Sequence, residues 1–292
     1  MRERLPREGH RGHLSPAELP RSPLRIRRVV GESKLFLISD SPLGIGSALA
    51  SVIENRALLR AYLRSRPAFL ESLDPLDIEG PAPKVVAIAI RAARAAGVGP
   101  MAAVPGALAD LALEEMLKRD GLVNVVENGG EVAANSIAPL VIGLYEGSGD
   151  ASSGIGFRFH PDEFPIGVAT SSATISHALS FGQADAVMVV ADSAALADAA
   201  ATAICNEVRG ASPEEAIERG LEFSRSIWGL RFVGIFMGDH VGFRGDPPEL
   251  VRIKGDLWKV LESGLDEAFG DIKAHMIGIE RTLKFLPAIE AP

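Results

Sequence analysis

The sequence predicts an α/β (α+β) fold in one domain, and three observations carry that reading. The chain has 292 residues and is 47% hydrophobic, enough apolar surface for one large core. Glycine and alanine are abundant while aromatic residues make up 5%, which suits Ala-rich helices packed closely on a sheet and gives no stacking platform for nucleic acid. The hydrophobic period also changes along the chain, helix-like up to "LEEMLKRDG" and strand-like from Leu122 onward.

In chain order, "RRVVGESKLFLISD" reads as an opening strand and "IGSALASVIENRALLRAYLRSRP" as an amphipathic helix stopped by Pro67. "LDPLDIEGPAPK" is a loop, after which "VVAIAIRAARAAGVG" is a helix closing at Gly97 or Gly99. "GALADLALEEMLKRDG" is the next helix. "LVNVVENGGEVAANS" places β-branched residues on both sides of Asn128, Gly129 and Gly130, the signature of a tight hairpin, and "APLVIGLYEG" follows as a strand. "FRFHPDEFPIGVATSS" supplies extended chain and "ADAVMVVAD" a strand. "SAALADAAATAICNEVRG" is a helix capped by Ser193 and ended by Gly210, and "SPEEAIERGLEF" a helix with Pro213 in its first turn. "WGLRFVGIFMGDHVGF" returns as strand.

Charge divides the chain. Its net value is −8, yet residues 1–28 hold eight arginines against three glutamates, so the remainder is strongly acidic and duplex binding through phosphate neutralisation is excluded. Residues 1–27 are expected to be a disordered Arg/Pro-rich leader, 28–246 the main domain, and 247–292 a C-terminal strand/helix extension packed on it. No apolar run reaches the ~20 residues of a membrane span. The single cysteine, Cys205, excludes an internal disulfide and any Cys-clustered metal site, and a cytoplasmic location is expected.

Four stretches carry candidate chemistry. Asp198 and Thr202 stand at i and i+4, so on a helix a carboxylate and a hydroxyl converge on one face and suit a hard cation; the same residues also read as a helix-start acid and a packing residue. "ENGGE", Glu127 to Glu131, is either a plain hairpin or a place where missing side chains admit a flat or phosphorylated ligand to the backbone. "AGVGPMAAVPGALAD" sets glycines around a helix start, but no Gly-x-Gly-x-x-Gly follows a strand and no Walker-type lysine is present, which argues against a doubly wound dinucleotide fold. "VATSSATISHALSFGQAD" gathers Thr170, Ser171, Ser172 and His177. Without a Gly-x-Ser-x-Gly elbow this cluster reads as a ligand-holding wall with His177 in it, not a hydrolase triad.

Taken in order, "RAYLRSRPAFLESLDPL", "AGVGPMAAVPGALAD", "VENGGEV", "GVATSSATISHALSFGQADAV" and "LADAAATAICN" resemble the ApbE-like uncharacterised protein family 0280, a branch of the flavin transferase superfamily. The resemblance implies a single ApbE-like, T-fold-related domain with a mixed, largely antiparallel sheet and packed Ala-rich helices. It matches Asn128, Gly129, Gly130 and Glu131 to the transferases' FAD-side segment, and Thr170, Ser171 and Ser172 to their Thr-Ser-Gly. It also matches Asp198 and Thr202 to their metal segment. The transferases' lysine segment falls near Ala102 to Gly106, where no lysine stands. FAD and Mg²⁺ as cofactors, a small-molecule ligand, a protein acceptor, FMN transfer and a homo-oligomer are what the resemblance implies. A non-flavin accessory role in cytoplasmic metabolism, such as sulfide or thiol assimilation, is the second reading.

Overall fold

The structure, a computed structural model, describes residues 23–77, 80–144, 153–172, 182–254 and 284–285. The opening segment forms two strands, not one. β1 (Leu24–Val30) and β2 (Ser33–Ser39) pair antiparallel through a two-residue turn in which Gly31 has φ +59°. Gly-Glu is a weaker turn signal than Asn-Gly, so the alternation runs on through it unbroken in sequence. β1 also takes in Leu24 to Arg27, which charge alone assigns to the leader.

α1 (Pro42–Ser65) is capped by the Ser41 side chain, which accepts from the Gly44 amide, and it ends just before Pro67. A short α2 (Ala68–Glu71) and a loop lead to α3 (Lys84–Ala96), closed by left-handed Gly97. A 3₁₀ turn, Pro100–Ala103, runs straight into α4 (Val104–Leu117). The hairpin of β3 (Val123–Asn128) and β4 (Glu131–Ser136) turns on Gly129 and Gly130, whose φ values of +78° and +125° favour glycine. β5 (Leu140–Leu144), β6 (Ser153–Phe159), β7 (Ile166–Ser171) and β8 (Ala186–Ala191) precede α5 (Ala194–Glu207). α5 ends at Val208, two residues before Gly210. Then come α6 (Pro213–Ser224), β9 (Leu230–Met237), β10 (His240–Gly245), β11 (Glu249–Lys254) and β12 (Lys284–Phe285).

Nine strands form one sheet in the order β1-β2-β3-β4-β7-β8-β9-β10-β12, and β11-β6-β5 form a second. Every pairing is antiparallel except β10 with β12. This is a mixed α+β arrangement with the helices gathered on one face of the large sheet. α4 lies on β3 and β4, α5 on β7 and β8, and α6 on β9 and β10, with α1 beside α4 over β2. Apolar residues of α3, α4, α5 and α6 form the main core with Ala169, Val187, Val189, Val233 and Ile235 of the sheet. On the opposite face Phe157 and Phe159 of β6 meet Val132, Val168, Met188 and Phe232. Strand alternation therefore sorts the large sheet into a helix side and a small-sheet side.

Among the described residues no single helix is long and apolar enough to cross a membrane. The bent pair α3 and α4, which has the length and composition with a 106° break, buries its apolar residues in the core.

α5 can reach the sheet only because two neighbours lack side chains. A Cβ at Gly167 of β7 would stand 2.0 Å from the Ser193 carbonyl carbon, and one at Gly106 of α4 would stand 2.4 Å from the Ala194 oxygen. Gly167→Ala and Gly106→Ala should each lower unfolding free energy by about 3 kcal/mol in urea titrations, because the obstacle is backbone. Gly46→Ala in α1, with nothing within 4 Å of its Cβ, should instead raise it by about 0.5–1 kcal/mol. A Gly167→Ala chain as stable as wild type would disprove the tight seat of α5.

Candidate functional site

Of the candidate residues, Asn128, Glu131 and Asp198 are linked where α4 and α5 begin. Asp198, in the second turn of α5, is 8% exposed, and its Oδ2 accepts the Gly106 amide at 2.9 Å. The arrangement is returned from the other helix. Asp110 of α4 accepts the Ala194 amide with Oδ1 at 2.8 Å and the Ala195 amide with Oδ2 at 2.9 Å. Each helix thus supplies a carboxylate to the free amides at the start of the other, where the helix dipole favours negative charge. Sequence reasoning gave Asp110 no role. Its signal was a lone acid inside the apolar run "GALADLAL".

Asn128, the last residue of β3, is 3% exposed and donates Nδ2 to the Pro105 carbonyl at 2.9 Å. Gly129 and Gly130 follow it at the turn: among the described residues nothing lies within 4 Å of a Cβ built on Gly130, and only Glu131 Oε2, at 3.6 Å, near one on Gly129. Glu131 therefore holds its carboxylate against the turn, and through space it reaches Asp198.

These acids resist ionisation. Burial, with Glu131 and Asp110 nearby, pushes the Asp198 carboxyl well above the usual carboxylate range against the pull of the Gly106 amide. Burial, opposed by its own backbone amide and helped by Glu127, pushes Glu131 up to about 8. Burial raises Glu127 as well, with Arg27 opposing. Asp110 is pushed up to about 6 by burial, despite the two amides it accepts. The buried Asp198 and the half-buried Glu131 repel one another with no cationic side chain acting on either among the described residues, and a cation bound there would relieve both repulsion and desolvation.

The polar cluster after Val168 is divided. Ala169 packs in the helix-side core and Val168 on the small-sheet side, so alternation puts Ser171 with the helices and Thr170 on the opposite face, while Ser172, just past the strand, is buried. Val168 pairs with Val132, and the same register continued brings Thr170 level with Gly130. Thr202 is half-buried one turn beyond Asp198. His177, expected in the same wall, lies outside the described residues.

Among the described residues no group of three or more His, Cys, Asp or Glu side chains is arranged to hold a metal. Mg²⁺ does not need one: it is commonly held by one or two carboxylates, with ligand phosphates and water completing the shell. Asp198 with Thr202 and the neighbouring Glu131 fit that pattern.

Fold and site together define a mixed α+β protein with a buried Asp198 and a half-buried Glu131 near a Gly-Gly hairpin turn. The family model described as AbpE bacteria matches residues 18–222. A UPF0280 protein of Methanocaldococcus jannaschii is 38% identical over 228 residues, 77% of this chain and 92% of its own length. One from Methanopyrus kandleri is 40% identical over 233 residues, 79% of this chain and 94% of its own. The chain belongs to the ApbE-like UPF0280 family. Among solved structures, the ApbE protein of Thermotoga maritima is 14% identical with a TM-score of 0.47, covering 82% of this chain and 99% of its own. The apo flavinyl transferase ApbE of Pseudomonas stutzeri is 13% identical with a TM-score of 0.40, covering 84% and 98%.

A carboxyl whose folded pKa lies above its unfolded one stabilises the native state below the unfolded value, and that stability is lost as pH rises through the folded one. For Asp110 the window runs from 3.8 to about 6. The stability difference between wild type and Asp110→Asn, from denaturant titrations, should therefore shrink by about 1–2 kcal/mol between pH 4 and 6.5 and stay level above. A difference that grows with pH would mean that the two amides outweigh burial.

Proposed function

We propose that the protein binds a flavin dinucleotide, or another phosphorylated small molecule, together with Mg²⁺ where the Gly129–Gly130 turn meets Asp198. The observation that carries this reading is the buried Asp198 carboxyl, held by the Gly106 amide beside Glu131 and close to a turn with no side chains. Glycines there let a phosphate or a planar ring approach the backbone, and Ser171 adds a hydroxyl on the same side of the sheet. Asp198 and Thr202 would hold the ion, with Glu131 adding charge beside it. Mg²⁺, when bound, would supply neutralisation of pyrophosphate charge.

The matched family and the ordered motifs support the flavin form of the proposal, and FMN transfer to a protein hydroxyl is the reaction class it implies. This chain's own contribution is binding and orientation. The thiol reading gains nothing from Cys205, which is fully buried within α5.

The test is calorimetry and flavin fluorescence on the full chain with FAD and Mg²⁺. Wild type should bind FAD in the presence of Mg²⁺. Asp198→Asn, which keeps an oxygen for Gly106 but cannot ionise to meet the ion, should weaken Mg²⁺-dependent binding at least about tenfold while its Tm holds, since burial already keeps the Asp198 carboxyl from ionising in the free protein. No FAD binding by wild type would sink the flavin form. If FAD binds, incubation with a flavinylation acceptor separates the two activities, because an acceptor left without covalent flavin makes the protein a binder.

A further inference from the structure

We infer that Asn128 is a positioning residue: it sets the Asp198 carboxylate through the Pro105–Gly106 peptide and does not itself contact the ligand. This deepens the proposed cation site and rests on that reading. Two bonds carry it, Asn128 Nδ2 to the Pro105 oxygen at 2.9 Å and the Gly106 amide to Asp198 Oδ2 at 2.9 Å. The carbonyl of Pro105 and the N–H of Gly106 belong to one peptide unit. That unit is planar and trans, so its C=O and N–H point in opposite directions within one plane. A side chain that holds the oxygen therefore also aims the hydrogen, and Asn128 directs the Gly106 amide at Asp198.

Three further features make the peptide the link. Asn128 is 3% exposed, and its amide nitrogen is taken up by the Pro105 oxygen. Pro105 has no amide hydrogen and a restricted φ, which limits how the α4 start can readjust. Gly106 is seated against the Ala194 oxygen, where any Cβ would collide. With Oδ2 engaged by Gly106, the other oxygen of Asp198 stands outside that bond, and its direction is set from β3, a strand remote in sequence. Asn at this place is better than Asp because the Pro105 oxygen needs a donor, which a carboxylate cannot supply.

The test pairs two readouts on the full chain. Mg²⁺ titrated into wild type, Asn128→Asp and Asn128→Ser, by calorimetry or with Mn²⁺ as a paramagnetic probe, reports the ion. Amide hydrogen exchange at Gly106 reports the link without any ion. Asn128→Asp should lose Mg²⁺ affinity about tenfold or more and exchange Gly106 at least about tenfold faster, with β8 and β9 amides unchanged. Asn128→Ser, smaller but still a donor, should fall between. Asn128→Asp binding Mg²⁺ as tightly as wild type or more tightly would overturn the inference and make residue 128 a ligand. Unchanged Gly106 exchange in folded Asn128→Asp would overturn it too. Wild type that binds no Mg²⁺ would sink the cation site itself, and faster Gly106 exchange in the variant would still establish the link from Asn128 to that peptide.

Discussion

The start of α5 is the constraint on which the structure depends. Its first residues are wedged between Gly167 of β7 and Gly106 of α4, and their amides end on Asp110. Close-packed interiors tolerate such backbone approach only where side chains are absent. The same contact places Asp198 against Gly106, so seating the helix and forming the candidate site are one event. The chain's abundance of alanine and glycine follows from this, since bulkier residues at these positions would lift the helices off the sheet.

The two crossed carboxylates work against a cost. Hydrogen bonds from backbone amides to a carboxylate contribute about 1.5–3 kcal/mol each, but burying charge costs as much or more. Burial prevails in both Asp110 and Asp198, whose pKa values rise despite the amides. Glu131 adds repulsion where a purely structural design would have put an apolar residue or a cationic partner. Acids whose ionisation the fold resists mark candidate functional sites, and they are kept at some expense of stability.

Much of the fold could be read in advance because it rests on local chemistry. Ser193 before a helix, Pro213 in a first turn, Gly97 after α3 and the Asn-Gly-Gly hairpin are short-range signals, and the structure uses all of them. The β1–β2 turn escaped notice because Gly31-Glu32 lacks the usual composition. Asp110 and Glu127 escaped because an acid in an apolar segment says only that it has a partner, not which one. Thr170, Ser171 and Ser172 read as one cluster in a line of text, yet a strand turns alternate residues to opposite faces.

By itself the sequence determined the mixed fold class, the placement of most helices and strands, and the family motifs. Those features depend on periodicity, capping and turn propensity, which act over a few residues. Only the tertiary structure decided that Asn128 and Asp198, 70 positions apart, hold the two ends of one peptide bond, and that α4 and α5 exchange carboxylates. Those pairings come from how helices are laid across paired strands, and no local preference encodes which amide a distant carboxylate will find.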